Sequence, residues 1–374
     1  MSGAAVSAAP ARDRAWMLAA VRLGARGDRA VRPNPRVGCL IVQGERIVGQ
    51  GWHAQVGGPH AEAIAIAAAG EAARGATAYV TLAPCNHWGR TPPCAAALVA
   101  AGIRRVVVGV GDPNPTAAGG CEALRAAGVA VDVGVAAEDC RDLAEVFLCG
   151  IDHGRSFFQV KVAMTLDGRV AAADGTSRWI TGPGARRAVH AMRAEADAVL
   201  VGSGTALADN PRLDLRALTR QKNTLKPLRI VLDRRLRLPV TGQLAQTAAQ
   251  ATLVVTDDPR RESTAEAEAL RERGVSLLVV PPAPAWLTAV AAALAQRGIH
   301  HVLCEPGPTL HAALWRERLV DRLDLFVAPR LLGDGLQTLP SLGIHTLADA
   351  IALRWSAPRR VDGDLWLTAR PVRG

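Results

Sequence analysis

Apolar and polar positions alternate between two periods along the first 150 residues. Short apolar runs of strand length are separated by segments in which apolar residues recur every three or four positions, as on one face of a helix. Helices are predicted over 13–26, 60–69, 94–101 and 120–127, and strands over 38–42, 46–52, 76–82, 105–110 and 130–134. This alternation predicts an α/β layered sheet.

The same alternation returns in the second half of the chain. Helices are predicted between most of its strands, notably over 184–196 and 264–273. The strands are predicted over 158–164, 198–202, 229–233, 251–256, 275–280, 301–305 and 322–327. A polar segment over 150–155 separates a helical pattern from the first of these strands, which favours a domain boundary there.

Length and composition support two globular domains. The chain has 374 residues, and its 49% hydrophobic content excludes global disorder. Residues 1–12 are predicted to be a disordered lead, because they lack the apolar stretch of a signal peptide. The two domains are then expected over 13–150 and 155–374. Prolines interrupt the longest charge-free run, over 274–296, so no membrane span is predicted.

The formal net charge is +10, and nearly all of the basic residues are arginines. They are dispersed along the chain, and aromatic residues make up only 3% of it, which is low for a protein that stacks on nucleic-acid bases. Phosphorylated small molecules explain the charge as well as nucleic acid does. A zinc-stabilised nucleic-acid binder is the non-enzymatic alternative.

The cysteines distinguish the two halves. Six of the seven precede residue 150, and only Cys304 follows it. An odd number of cysteines in a long chain argues against a disulfide framework and for a reducing compartment. We therefore expect a cytoplasmic protein.

A candidate metal site lies in the cysteine-rich half. His60 opens a predicted helix, and Cys85 and Cys94 flank a loop between a strand and another helix. One imidazole and two thiolates leave a fourth zinc position for water, as in catalytic sites. Glu62 is close enough to shuttle protons without being a ligand, as in zinc deaminases. A structural zinc with His87 as its fourth ligand is the alternative.

These residues closely resemble the deaminase half of the bifunctional deaminase-reductases of riboflavin biosynthesis. The resemblance rests on residues 33–39, 58–62 and 85–94, where eight residues separate the two cysteines. The second half independently resembles the reductase half of that family. The matching segments are 165–168, 175–182, 209–211, 305–310 and 328–333.

The resemblance implies a cytidine-deaminase-like layered domain followed by a dihydrofolate-reductase-like domain. The implied reactions are zinc-hydroxide deamination of 2,5-diamino-6-(5-phosphoribosylamino)pyrimidin-4(3H)-one and NADPH reduction of its ribosyl group to give 5-amino-6-(5-phosphoribitylamino)uracil. The implied cofactors are one Zn²⁺ per chain and NADPH. The expected partners are the phosphorylated aminopyrimidine and further copies of the chain, bound through the reductase domain, with no nucleic acid and no membrane.

The resemblance also implies individual site residues. Glu62 would be catalytic, and the metal ligands would be His60, Cys85 and Cys94. Deaminase substrate contacts would be Asn34, His53, His87, Arg90, Asp112 and Asn114. Reductase substrate contacts would be Lys161, Ser177, Arg193, Leu213, Arg216 and Glu305. Cofactor contacts would be Ala163, Trp179, Thr205, Asp209, Arg234, Gly307, Pro308 and Thr309.

Two positions depart from the family pattern. Ala83 stands where relatives have Glu before Pro-Cys, which removes a carboxylate near the metal loop. Pro306 stands where many relatives have a small residue, which removes one backbone donor to the cofactor. Because of Ala83, a reductase whose zinc half is only a scaffold is the alternative enzyme.

Overall fold

The computed structural model describes residues 11–88, 92–217, 225–246 and 250–372. The chain divides into two compact units, Met1–Gly154 and Arg155–Gly374. The first helix begins at Ala11, two residues before its predicted start, and the rest of the predicted disordered lead lies outside the described residues. Among the described residues, no helix is both long and apolar enough to cross a membrane.

The first unit is built on a sheet with the strand order β2-β1-β3-β4-β5. Strand β1 is antiparallel to β2 and β3, whereas β3, β4 and β5 are parallel. The strands are β1 Gly38–Gln43, β2 Arg46–Trp52, β3 Thr77–Leu82, β4 Arg105–Val110 and β5 Ala130–Val133. The helices are α1 Ala11–Gly24, α2 Ala61–Ala69, α3 Cys94–Ala100, α4 Gly120–Ala126, α5 Ala137–Leu143 and α6 Glu145–His153.

Both faces of this sheet are covered because side chains alternate along each strand. On β1, Cys39 and Ile41 face a core formed with α2, α3 and α4. Leu40 and Val42 face a second core that includes α1 and Cys140. The buried strands therefore read as continuous apolar runs, which is why the sequence pattern located them.

Glycines on β2 allow helix α2 to lie directly on the sheet. A Cβ atom on Gly51 would lie 2.2 Å from the carbonyl oxygen of Ala61, and one on Gly49 would lie 2.2 Å from that of Ala65. Both distances are shorter than atoms tolerate, so any larger residue would push the helix outward. Because α2 carries Glu62 in its first turn, these glycines set the position of that carboxylate.

We expect Gly51→Ala to reduce zinc affinity and the ammonia release that the resemblance implies, while leaving the second unit intact, because α2 must shift. Zinc content per chain and ammonia release measure the effect. Gly150→Ala is the matched control. Gly150 lies within helix α6, and a Cβ added to it would contact no other atom within 4 Å. Alanine is also favoured over glycine in helices by about 1 kcal/mol. Equal ammonia release by both variants would contradict this role of Gly51.

The second unit contains a larger mixed sheet. Among the described residues its strand order is β11-β10-β9-β8-β12-β6-β13-β17-β15, with β16 also paired to β17 and a separate β7-β14 pair. The strands are β6 Phe157–Thr165, β7 Arg169–Ala172, β8 Ala198–Gly202, β9 Leu228–Leu232, β10 Thr252–Thr256, β11 Ser276–Val279, β12 His301–Cys304, β13 Arg322–Ala328, β14 Gly335–Gln337, β15 Leu353–Trp355, β16 Arg359–Val361 and β17 Asp364–Pro371.

From β11 to β13 in this spatial order, each strand is parallel to the next. Strand β17 is antiparallel to β13, β15 and β16. Alternate residues face opposite cores, with Leu200 and Ile230 in one and Val199 and Val231 in the other. The helices are α7 Pro183–Glu195, α8 Ser203–Asp209, α9 Gln243–Gln246, α10 Ala265–Glu272, α11 Trp286–Gln296 and α12 Pro308–Arg316.

Candidate functional sites

Three candidate metal ligands meet in the first unit. His60 precedes α2, Cys85 follows β3 and Cys94 begins α3. The Nδ1 atom of His60 lies 3.2 Å from the Cys94 sulfur and 3.7 Å from the Cys85 sulfur. One ligand atom from each residue lies within 4.8 Å of the others. His87 is exposed and, in the part of the chain that the structure describes, is not a member of this cluster.

The chemistry of these donors fits a zinc ion. Thiolate and imidazole are the ligands that zinc prefers, and three protein ligands leave one position open. The backbone N–H of Cys94 points at the Cys85 sulfur over 3.5 Å. Hydrogen bonding with Cys94, and then with His60, lowers the pKa of the Cys85 thiol. The site therefore favours a thiolate at Cys85.

Glu62 is placed where a proton carrier is needed. Its side chain is buried, with 3% of the residue exposed, and it lies in the first turn of α2. Burial is the main cause that raises the pKa of its carboxyl group. The same carboxyl group interacts with the Cys94 side chain. A carboxyl group with a raised pKa can both accept and return a proton near neutral pH.

Asn34 and His53 form a hydrogen-bonded pair beside this cluster. The Asn34 Nδ2 atom lies 3.1 Å from His53 Nε2, and the other ring nitrogen of His53 lies 3.1 Å from the Pro59 carbonyl oxygen. The rings of His53 and His60 meet edge to face with centroids 5.5 Å apart. Burial lowers the pKa of His53, which favours the neutral ring.

Asp112 and Asn114 lie on the loop after β4. The Asp112 carboxylate accepts a hydrogen bond from the Asn114 backbone N–H at 2.9 Å. Burial raises the pKa of Asp112, which also interacts electrostatically with Cys85 and His87. These predicted substrate contacts are therefore close to the metal ligands. Arg90, the predicted phosphate contact, lies outside the described residues.

A cavity of about 2210 Å³ opens in the second unit, at the carboxyl ends of β8, β9 and β12. Ligand pockets commonly measure roughly 300–1,000 Å³, so this one has room for a dinucleotide together with a substrate. All fourteen predicted reductase residues line it. They are Lys161, Ala163, Ser177, Trp179, Arg193, Thr205, Asp209, Leu213, Arg216, Arg234, Glu305, Gly307, Pro308 and Thr309.

The charged centre of the cavity is a partly buried triad of Lys161, Arg193 and Glu305. Arg193 donates two hydrogen bonds to the Glu305 carboxylate, at 2.6 and 3.0 Å, and Lys161 Nζ lies 3.8 Å from it. Burial alone would raise the pKa of Glu305, but Arg193 and then Lys161 outweigh burial and hold it at about 2. Burial lowers the pKa of Lys161.

The predicted cofactor segment forms a close turn before α12. Gly307 precedes the helix, and Pro308 occupies its first position, where a missing N–H costs nothing. A Cβ on Gly307 would lie 3.0 Å from Thr205 Oγ1, so the two segments touch. Backbone N–H groups at such a helix start bind phosphate. The volume and this cradle fit a dinucleotide.

The sequence interpretation did not identify Asp257 and Arg237 as polar groups of the cavity. Arg234, predicted to contact the cofactor, forms an ion pair with Asp257 and lies over the Trp286 ring at 5.5 Å. Arg235 and Arg237 line the same wall, and Arg237 donates to the Ser203 hydroxyl at 2.6 Å. The run of arginines after β9 was visible in the sequence, but which of them is engaged by an acid was not.

The chain matches two protein-family models. Residues 10–110 match the cytidine and deoxycytidylate deaminase zinc-binding region. Residues 156–357 match the RibD C-terminal domain. The two matches fall on the two halves of the chain in the predicted order.

Relatives match over almost the whole length. The riboflavin biosynthesis protein RibD of Aquifex aeolicus is 39% identical over 94% of this chain and 97% of its own, and that of Escherichia coli is 41% identical over 95% and 98%. The solved structure of Acinetobacter baumannii RibD is 38% identical, with a TM-score of 0.79 over 97% of this chain and 99% of its own.

A Thermotoga maritima structure is 32% identical, with a TM-score of 0.79 over 96% of this chain and 99% of its own. It is described as a diaminohydroxyphosphoribosylaminopyrimidine deaminase/5-amino-6-(5-phosphoribosylamino)uracil reductase. Together these matches confirm the predicted fold class and the predicted pairing of a deaminase with a reductase. They do not favour the nucleic-acid alternative. The chain belongs to the RibD family of riboflavin biosynthesis proteins.

Proposed function

We propose that this chain catalyses two consecutive reactions of riboflavin biosynthesis. The first replaces the 2-amino group of 2,5-diamino-6-(5-phosphoribosylamino)pyrimidin-4(3H)-one by oxygen. The second uses NADPH to reduce the ribosyl group and gives 5-amino-6-(5-phosphoribitylamino)uracil. One arrangement of residues in each unit carries the proposal. The first unit has a His/Cys/Cys cluster with a buried glutamate, and the second has a large cavity around a Lys/Arg/Glu triad.

In the deaminase half, His60, Cys85 and Cys94 would hold the zinc ion. A zinc ion held there would supply Lewis acidity that lowers the pKa of a water molecule, the nucleophile needed at the ring carbon that carries the amino group. Glu62 accepts a proton from that water and gives it to the departing nitrogen. The C–N bond then breaks with its electron pair passing to the nitrogen, ammonia leaves, and the remaining hydroxyl proton moves to the ring nitrogen, which leaves a ring carbonyl. The raised pKa of Glu62 suits both transfers.

The substrate would lie against the polar groups around the cluster. Asn34, with its amide fixed by His53, can bind one edge of the pyrimidine, and the loop of Asp112 and Asn114 can bind another. His87 adds a further contact. Arg90 would bind the phosphate, because a guanidinium group can donate two parallel hydrogen bonds to it.

In the reductase half, NADPH would supply a hydride to the opened ribosyl carbon. Lys161, Arg193 and Glu305 would orient the polar groups of the sugar, with Ser177, Leu213 and Arg216 around the rest of the substrate. The dinucleotide would lie along the remaining predicted cofactor residues. These are Ala163, Trp179, Thr205, Asp209, Arg234, Gly307, Pro308 and Thr309.

Assembly, location and domain limits remain predictions. We expect a homo-oligomer that associates through the reductase domain, a cytoplasmic location and no nucleic-acid partner. The catalytic domains are proposed to span 13–150 and 155–374.

The proposed activities can be tested on one preparation. Purified zinc-loaded protein is given the diaminopyrimidine phosphate with and without NADPH, and the products are identified by mass. We expect ammonia and the deaminated compound without NADPH, and the ribityl product only with it. Chelation of zinc is expected to abolish ammonia release but not the reduction of a supplied deaminated substrate. No ammonia from zinc-loaded protein would favour the scaffold alternative that Ala83 left open.

A further inference from the structure

The segment Asp209–Arg216 forms one wall of the reductase cavity. Six of its residues line the cavity, including Asp209, Leu213 and Arg216. Two residues without glycine's freedom have left-handed backbone, Asn210 at φ 42° and Leu213 at φ 50°. Residues other than glycine rarely adopt this backbone conformation unless surrounding contacts impose it. Something outside the segment must therefore hold it.

Arg229 lies behind this segment on β9 and is 1% exposed. Its Nη1 atom donates to the carbonyl oxygens of Arg212 at 3.4 Å and Gln243 at 3.5 Å. Its Nη2 atom donates to those of Gln250 at 2.6 Å and Leu244 at 3.1 Å. One planar guanidinium group thus joins the cavity segment to the main chain around α9.

The neighbouring contacts extend this clamp. Arg229 binds the backbone carbonyl oxygen of Gln250, and the side-chain amide of Gln250 in turn donates to the Leu213 carbonyl oxygen at 3.3 Å. Asn210 Oδ1 accepts from the Gln243 backbone N–H at 2.7 Å. The Leu213 side chain is 3% exposed and packs into the core on this side of the sheet. The backbone of the segment is therefore held at both of its left-handed residues, Asn210 and Leu213.

The segment also carries Arg216, a proposed substrate contact that lines the cavity. Arg216 pairs with Asp214 at 2.6 Å, and the Asp214 carbonyl oxygen accepts a hydrogen bond from Arg193 at 3.1 Å. A shift of the backbone at Arg212 and Leu213 would move Asp214 and Arg216 together. Arg193 would keep its two hydrogen bonds to Glu305, so the loss would fall mainly on Arg216.

We propose that Arg229 is a positioning residue of the reductase, which holds the 209–216 segment so that Arg216 can bind the phosphate of the substrate. The inference rests on the proposed reductase function. Arg229 itself does not line the cavity, so it acts through Arg212 and Leu213 and not by touching substrate. A buried cation surrounded by carbonyl oxygens costs solvation energy that an apolar residue would not, which favours a specific role for its fork of donors.

The test compares Arg229→Met, Arg216→Ala and the double variant, using the deaminated ribosyl phosphate and the same compound without its phosphate. We expect Arg229→Met to raise KM for the phosphorylated compound about tenfold or more, because small displacements of binding groups can cost up to about 100-fold. KM for the compound without phosphate should change little. Because both changes would disrupt the same contact between Arg216 and the phosphate, the KM of the double variant should be no higher than that of Arg216→Ala.

Arg229→Lys should fall between wild type and Arg229→Met, since an ammonium group reaches fewer of the carbonyl oxygens. It carries the test if the Met variant does not fold. Arg297→Met, which changes an exposed arginine at the end of α11, is the matched control. Ammonia release by the same chains reports on the integrity of the first unit.

Equal losses on both compounds, or additive effects in the double variant, would show that Arg229 serves only the stability of the sheet and would overturn the inference. Wild-type protein that fails to reduce either compound with NADPH would instead overturn the proposed function. The two failures are therefore distinguishable.

Discussion

Replacing Glu62 by Gln is expected to abolish ammonia release while zinc content and NADPH-dependent reduction stay at wild-type levels. The amide keeps the shape of the buried side chain but cannot accept and return the proton. General acid–base groups contribute about 10²- to 10⁴-fold to rates, and we expect a loss in that range or larger. Ammonia release, zinc per chain and reduction of the deaminated substrate are measured on one preparation.

Glu71→Gln is the matched control, because Glu71 is an exposed glutamate of the same unit. It should leave all three measurements unchanged. Normal deamination by Glu62→Gln would contradict the assigned proton transfer. Loss of zinc in that variant would instead mean that Glu62 helps to hold the metal site together.

Replacing Arg193 by Met is expected to disable the reductase and destabilise its unit. The change removes both hydrogen bonds to Glu305, whose side chain is 14% exposed, and leaves Lys161 as the remaining charged partner within 4 Å among the described residues. Breaking a buried pair from one side costs about 3–5 kcal/mol of unfolding free energy. We expect kcat/KM for reduction to fall about 100-fold or more, because Glu305 and Lys161 lose the partner that orients them and small misplacements of binding groups can cost about 100-fold. Ammonia release should be unaffected.

The pH dependence of this loss follows from the lowered pKa of Glu305. A carboxyl group whose pKa falls from 4.5 to about 2 on folding adds stability above pH 4.5 and loses it as the pH falls toward 2. Arg193→Met raises that pKa, so the stability gap between wild type and variant should be widest at neutral pH and shrink below about pH 4.5. Thermal unfolding across pH measures it.

Arg187→Met provides the control for Arg193. Arg187 lies on the same helix, but its side chain is 61% exposed in its ion pair with Asp362. Exposed pairs contribute at most about 1 kcal/mol, so reduction and unfolding should barely change. A gap that does not vary with pH would show that Arg193 stabilises the unit by packing and not through the charge of Glu305.

Local patterns predicted most of the fold because the parallel strands are buried on both faces. Their apolar runs are continuous, and the helix between each pair has its own period. Strand β7 and the strands from β14 onward were not predicted. The alternation of apolar and polar residues is weak from β14 onward, and β15 and β16 have only three residues each. Formation of these two strands therefore depends on pairing with β17 and not on local sequence.

The candidate sites were predicted from motif and resemblance, and the structure brings the described members together. Composition and spacing could not predict which arginines are occupied by other groups. Arg234 is engaged by Asp257, and Arg229, which looked like an ordinary strand residue, binds four carbonyl oxygens. Such contacts join segments that are far apart in sequence, so they exist only after the chain has folded.

The strand order of the second unit constrains how the protein is made. In the first unit the described strands pair only with one another, between residues 38 and 133, so the sheet can form early during synthesis. Strand β6 begins the second unit, yet its neighbours are β12 and β13, which the ribosome delivers only near the end of the chain. Non-local pairing of this kind is slow and leaves unpaired edges exposed to aggregation. We therefore expect the second unit to remain exposed to aggregation for longer than the first during synthesis.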